Sequence, residues 1–173
     1  KLKYFLDESN IDINNLECLD IGSSTGGFCE VLLDAGAKSV FCIDVGSNQL
    51  HESLRTNPKV TLFENLDIRD FQTKQKFDLI TCDVSFISVL KILDKIDELA
   101  KKEIIILFKP QFEVGANIKR DKFGVVKDEK AIIRAIDLFI SNTVMKGWKL
   151  LEQKNSKLQG KDGNKEILFR FAK

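Results

Sequence analysis

A chain of 173 residues, 43% of them hydrophobic and 31% charged, has the size and composition of one soluble globular domain with a sizeable core. Its 27 basic and 26 acidic residues leave a net charge of +1, which excludes a uniformly basic nucleic-acid binder and confines any such surface to a local patch. The longest uninterrupted apolar run, Ile104 to Phe108, is far too short to span a membrane.

Lys1 to Asp7 reads as a short helix with Leu2, Phe5 and Leu6 on one face. No signal peptide is visible and the chain begins without methionine, so we expect a piece of a longer protein. Glu17 to Ile21 reads as the first strand, followed by a small-residue loop and a helix from Phe28 closed by Gly36. Ser39 to Asp44 is the second strand, Asn48 to Arg55 a helix stopped by Thr56-Asn57-Pro58, and Val60 to Phe63 a short third strand. Phe77 to Asp83 is the fourth strand, and Ser88 to Ala100 a helix with Leu90, Leu93, Ile96 and Leu99 on one stripe. Glu103 to Phe108 is the most apolar strand and therefore central. Gln111 to Val126 has no clear period and is expected to be a mobile loop over the strand ends. Asp128 to Met145 is a long amphipathic helix, and Trp148 to Gln153 and Ile167 to Phe171 are strands of a hairpin joined through Gly160 to Asn164. Repeated βα units followed by a hairpin predict a doubly wound, mostly parallel α/β sheet with an antiparallel C-terminal strand.

The first strand, its loop Gly22-Ser-Ser-Thr-Gly-Gly27 and the helix opening at Phe28 make half of a nucleotide-binding βαβ unit. Glycine there lets the chain turn sharply and lets a ligand approach the main chain. Asp44 ends the second strand, where a carboxylate suits a grip on ribose hydroxyls. The loop is not GxGxxG, and no Gly-Lys-Ser/Thr follows, so neither a dinucleotide nor a P-loop ligand is indicated. A wide loop without lysine suits an adenosine ligand lacking phosphates, of which S-adenosylmethionine (SAM) is the commonest; another adenosine ligand and a purely structural turn remain open. Cys18, Cys29, Cys42 and Cys82 show no CxxC spacing and no histidine partners, so they are assigned to core packing in a reducing cytosol rather than to a metal. His51, the single histidine, is expected on a surface helix.

Ligands of such sheets bind beyond the carboxyl ends of the strands, where Asp20, Asp44, Asp83 and Lys109 are all expected. A buried lysine needs a partner, which points to Asp83. After the fourth strand the sequence is Asp83-Val-Ser-Phe86 and not Asp/Asn-Pro-Pro-Tyr, so the clamp for a planar amine is missing and an alcohol is the better acceptor. Methyl transfer to an alcohol needs in-line alignment and a group that takes the hydroxyl proton.

Leu19-Asp-Ile-Gly-Ser-Ser-Thr-Gly-Gly-Phe28, Asp44-Val-Gly46, Cys82-Asp-Val-Ser-Phe-Ile-Ser88 and Lys109-Pro-Gln-Phe-Glu-Val-Gly115 together resemble the TlyA family, over nearly the whole chain. Its members are 2′-O-ribose rRNA methyltransferases with an FtsJ-like catalytic domain, also known as haemolysins. The resemblance implies a Rossmann-like SAM-dependent methyltransferase fold with a seven-stranded sheet, and a Lys-Asp-Lys-Glu catalytic set carried here by Lys1, Asp83, Lys109 and Glu166, with Lys3 competing for the first position. For SAM it implies Asp20, Gly22, Ser23, Ser24, Thr25, Gly26, Gly27, Phe28, Asp44, Asp67 and Asp83, with Asp67 near the adenine where the family often has Asn. It implies a cytidine ribose of large-subunit, in some members also small-subunit, ribosomal RNA as substrate, ribosomal subunits as partners, a cytoplasmic location, and an S4-like RNA-binding domain outside these 173 residues.

Within this domain the RNA-facing candidates are Lys119, Arg120 and Lys122 in the loop and Lys157 and Lys161 near the hairpin, in a lysine-rich stretch from Lys146 to Lys165. The competing readings are methylation of another RNA or small-molecule hydroxyl, a membrane-active haemolysin, and an RNA-binding scaffold without catalysis. The sequence offers no span, no alternating barrel hairpins and no strongly cationic amphipathic helix for the haemolysin reading.

Overall fold

The computed structural model describes residues 1–160 and 163–173. In chain order the elements are α1 (Leu2–Ser9), β1 (Glu17–Ile21), α2 (Gly27–Asp34), β2 (Ser39–Ile43), α3 (Glu52–Arg55), β3 (Val60–Phe63), β4 (Phe77–Cys82), α4 (Leu93–Leu99), β5 (Ala100–Phe108), α5 (Pro110–Glu113), α6 (Glu129–Met145), β6 (Lys149–Asn155) and β7 (Ile167–Ala172). The strands form one seven-stranded sheet in the order β3-β2-β1-β4-β5-β7-β6. β1 to β5 are parallel, and β7 runs antiparallel between β5 and β6. The sheet grows outward in one direction from β1 to β3 and in the other from β4, so β1 and β4 flank the crevice at which such a sheet receives a ligand.

Side chains alternate across the strands and are buried on both faces, which is why β4 and β5 read as continuous apolar runs. Leu19, Ile21, Ile80, Ile104 and Ile106 pack with α4 and α6; Cys18, Val40, Cys42, Leu79 and Ile105 pack with α1 and α2. Each fully buried Ile, Leu or Phe contributes roughly 1.5–3 kcal/mol. α6 starts where the Asp128 carboxylate accepts the Ala131 N–H (2.9 Å) and ends before Gly147, whose φ of 80° suits glycine. Its Phe139 ring packs on Phe108, Phe169 and Phe171, which fastens the helix over the antiparallel end of the sheet.

Several expected elements differ. The helix expected over Asn48–Arg55 is one turn, α3, and His51 is its exposed N-cap, accepting the Ser53 N–H through Nδ1. The helix expected over Ser88–Ala100 splits into a 3₁₀ turn, Val89–Lys91, and α4, because Ala100 is drawn into β5 opposite Phe77. The segment after Lys109 is not wholly loop: α5 occupies Pro110–Glu113, and Arg120 and Val126 bridge. β6 begins one residue after Trp148 and continues to Asn155.

Candidate active site

A cavity of about 400 Å³ opens over the carboxyl ends of β1, β2 and β4, within the range of sites that hold one small molecule. Apolar side chains including Ile43, Leu66, Ile68 and Ile87 line it, and its charged lining is acidic: Asp44, Asp67 and Asp83, with no lysine, arginine or histidine among the described residues of the wall. Asp67 and Asp83 have cations behind them, Arg69 and Lys109, and the described wall itself offers no cation to hold a phosphate. This suits the phosphate-free adenosine ligand that the glycine turn left open.

The glycine turn is built for contact. Gly22 donates its N–H to the Ile43 carbonyl at 2.8 Å, and Asp83 N–H reaches the Ile21 carbonyl at 2.9 Å. A Cβ on Gly22, at φ +79°, would lie 2.7 Å from the Asp83 carbonyl oxygen, so only glycine lets these two strand ends close on each other. Asp44 accepts the Ser24 N–H and the Gly46 N–H, each at 2.7 Å. Both bonds hold the carboxylate at the cavity wall, and each oxygen keeps a lone pair for a ribose hydroxyl. Asp67 also lines the cavity but is gripped by Arg69 through two contacts (2.6 and 2.9 Å), which with the Arg69 N–H holds its carboxyl below the usual range.

Asp20 requires a correction. The rim was the expected place for it, but it lies inside β1, one residue short of the strand's end, and is fully buried. Oδ1 accepts the Thr81 hydroxyl at 2.7 Å from the facing residue of β4, and Oδ2 has no hydrogen-bond partner among the described residues. Burial pushes its pKa up to about 7, partly offset by the Thr81 bond. Ser23, Thr25, Gly26, Gly27 and Phe28 also stand outside the cavity wall. Ser23 and Phe28 are buried, and a Cβ on Gly26 would strike Leu54 at 2.2 Å, so this glycine serves close packing of the loop on α3. Of the eleven candidates for the cofactor, Gly22, Ser24, Asp44, Asp67 and Asp83 face the cavity.

Beside the cavity, β4 and β5 end side by side and present Asp83 and Lys109. Lys109 Nζ lies 2.6 Å from Asp83 Oδ1, in an ion contact, and donates to Ser85 Oγ at 2.9 Å; the lysine is 8% exposed. Burying such a charge is tolerable only with partners of this kind. Lys1 Nζ lies 2.6 Å from Glu166 Oε2, and Glu166 is 3% exposed. Lys1 is carried there by α1, whose Leu2, Phe5 and Leu6 are buried. Glu166 is seated against Gly160, where a Cβ would lie 2.6 Å from its Oε1. Lys3, the competing lysine, is exposed.

Sequence reasoning missed two participants. Glu113, four residues after Lys109, accepts the Ser88 hydroxyl (2.6 Å) and the Val89 N–H (2.9 Å), so it ties the segment after β4 to α5. Ser85 engages the Lys109 ammonium. Both belong to the two motif blocks, but nothing in a linear motif says which of its serines and acids touch. Phe86 is 92% exposed at a φ of +65°, with its ring 5.2 Å from that of Phe112 at the mouth of the site. The four cysteines are free and buried; burial pushes the Cys18 and Cys82 thiols up, which makes them unreactive.

The candidate RNA residues fall into groups. Lys119 and Lys122 are exposed. Arg120 is a correction: its guanidinium donates to the carbonyls of Ile118, Gln111 and Gly115, so it organises the loop from within. Lys157 pairs with Glu8 and lies over the Tyr4 ring, which fastens α1 to the hairpin. In the stretch from Lys146 to Lys165, Lys146 and Lys154 are also paired, with Asp94 and Glu152, while Lys149 and Lys165 are exposed, so the expected patch is reduced. Lys161 lies outside the described residues.

The sheet order, the glycine turn packed on Asp83 and the acid-lined cavity fit an S-adenosylmethionine-dependent methyltransferase, the class that the family model assigns. The chain belongs to the FtsJ-like methyltransferase family, whose model matches residues 1–173. It is 56% identical over 173 residues to the 23S rRNA (cytidine-2′-O)-methyltransferase TlyA of Campylobacter jejuni, covering 100% of this chain and 68% of that protein. It is 38% identical over 174 residues to the 16S/23S rRNA (cytidine-2′-O)-methyltransferase TlyA of Mycobacterium tuberculosis, covering 98% of this chain and 65% of that protein. A crystal structure from Lactococcus lactis described as that of a hemolysin superimposes with a TM-score of 0.93 at 35% identity, covering 99% of this chain and 85% of that one.

Proposed function

We propose that this chain methylates the 2′-hydroxyl of a cytidine in ribosomal RNA. The observation that carries the reading is the Asp83–Lys109 contact at the lip of an acid-lined cavity, together with the buried Lys1–Glu166 ion pair. The identity to two cytidine-2′-O-methyltransferases supports the substrate. When bound, SAM supplies an electrophilic methyl carbon. Asp44 would hold the ribose of the cofactor, and the apolar wall its adenine.

Asp83 would hold the substrate hydroxyl, and Lys109, after giving one proton to solvent, would take the hydroxyl proton as the oxygen bonds the methyl carbon, while Lys1 and Glu166 would orient the sugar. Because Lys109 and Glu166 are buried, water competes poorly for their hydrogen bonds, so each bond counts for more than it would at the surface. Phe86 offers an exposed aromatic face at the mouth, where an unstacked base can rest. Lys119 and Lys122 are the described loop cations available for phosphates. A ribosomal substrate would put the reaction in the cytoplasm. Among the described residues no helix is long and apolar enough to cross a membrane.

The test is transfer of labelled methyl from SAM to isolated ribosomal subunits, with the product mapped by mass spectrometry of nuclease digests. Lys109→Ala should lower transfer by about 10²–10⁴-fold while SAM still binds, because Lys109 is not part of the cavity wall. Full transfer by that variant, or a methyl group found on a base, overturns the reading.

A further inference from the structure

A lysine ammonium is a compact charge on a flexible stem, and its three hydrogens point wherever acceptors hold them. Among the described residues Lys109 lies in an ion contact with Asp83 Oδ1 at 2.6 Å and donates one hydrogen bond, to Ser85 Oγ at 2.9 Å. The carboxylate fixes where the ammonium sits, and the hydroxyl fixes rotation about the last bond of the side chain. One hydrogen, or one lone pair after proton loss, is then left with a single direction.

Ser85 differs from its neighbours in a telling way. Ser88, in the same segment, uses its hydroxyl as a local cap, accepting the Leu90 N–H. The Ser85 hydroxyl makes no backbone bond among the described residues; its partner is Lys109. Ser85 is also exposed at the cavity wall, where nothing about core packing demands a serine. The next residue, Phe86, sits at a φ of +65°, an unfavourable conformation for a bulky side chain. That turn persists because Phe86 packs on Phe112 and Glu113 grips Ser88 and Val89 beyond it. A strained turn held at both ends brings one hydroxyl to the lysine.

We propose that Ser85 is a positioning residue that aims the Lys109 amine at the substrate hydroxyl, an inference that rests on the 2′-O-methylation reading of the same site. A hydroxyl oxygen accepts an N–H from an ammonium and from a neutral amine alike, so Ser85 can stay bonded to Lys109 in both protonation states while the lone pair of the neutral amine stays free for the substrate hydroxyl. A carboxylate such as Asp83 only accepts.

The experiment compares wild type, Ser85→Ala and Ser85→Thr by single-turnover methylation of ribosomal subunits, RNA KM, SAM titration and thermal unfolding. Ser85→Ala should lose about 10- to 100-fold in rate, the scale of a misaligned reactive group, with RNA KM and SAM affinity within about twofold of wild type. Ser85→Thr, which keeps the hydroxyl at an exposed position, should recover most of the rate. A wild-type rate in Ser85→Ala, a loss that appears as KM or SAM affinity instead, or a threonine variant no better than alanine overturns the assignment while leaving the methyltransferase reading intact. Wild-type protein that transfers no methyl group overturns the reading and this inference with it.

Discussion

Glu113 accepts the Ser88 hydroxyl at 2.6 Å and so joins the segment that follows β4 to the helix that follows β5. Burial pushes the Glu113 carboxyl above its ordinary value, with the bonds from Ser88 and Val89 acting in the opposite sense. A raised carboxyl contributes most to stability below its unfolded pKa and loses that contribution as pH rises through the folded value. The stability difference between Glu113→Gln and wild type should therefore move in favour of the variant as pH rises from about 4 toward neutrality. Glu113→Ala, which leaves the Val89 N–H unpaired, should cost about 1–3 kcal/mol. Denaturant unfolding of the three proteins across this range measures both effects.

Asp20 should show the same sign more strongly. Its folded pKa of about 7 stands above the ordinary 3.8, first because of burial. Between those two values wild type should lose stability relative to Asp20→Asn by about 1.4 kcal/mol per pH unit. The slope flattens below 3.8, where both forms are neutral. A stability difference between wild type and Asp20→Asn that stays constant with pH contradicts the buried, half-partnered carboxyl described here.

Gly22→Ala tests the seam between the glycine turn and the Asp83 strand end. The added methyl meets the Asp83 carbonyl at 2.7 Å, and the φ of +79° is strained for alanine. Loss of about 1–3 kcal/mol in unfolding free energy is expected. Since Asp83 is displaced by the same contact, methyl transfer should fall by more than SAM binding does. Calorimetric titration beside the methylation assay separates the two.

Arg120 and Lys119 should behave differently although both are loop cations. Lys119→Ala should weaken binding to ribosomal subunits and lower the salt slope by about one. Arg120→Ala removes a guanidinium spent on the Ile118, Gln111 and Gly115 carbonyls. It should release the loop, seen as faster amide exchange over residues 111–126, without that change in salt slope. Equal salt slopes for the two variants contradict the division.

By itself the sequence determined the layered α/β plan, the place of the glycine turn, and the acid at the end of β2, because hydrophobic runs, glycines and strand-end charges are local signals. It also determined that Asp83 and Lys109 terminate neighbouring apolar strands. Tertiary structure decided the rest. Whether a strand-end acid meets the ligand or the core depends on how far along its strand it lies. Asp44 follows the last residue of β2 and reaches the cavity, whereas Asp20, on the same face of the sheet, still lies inside β1 opposite Cys42 and is buried. Ala100 left its helix because pairing with Phe77 outweighed local propensity. Lys1 meets Glu166 only because the packing of Leu2, Phe5 and Leu6 brings the first helix to the hairpin. Charge written in a sequence names a cation but not its partner, and only packing assigned Arg120 to carbonyls and Ser85 to a lysine.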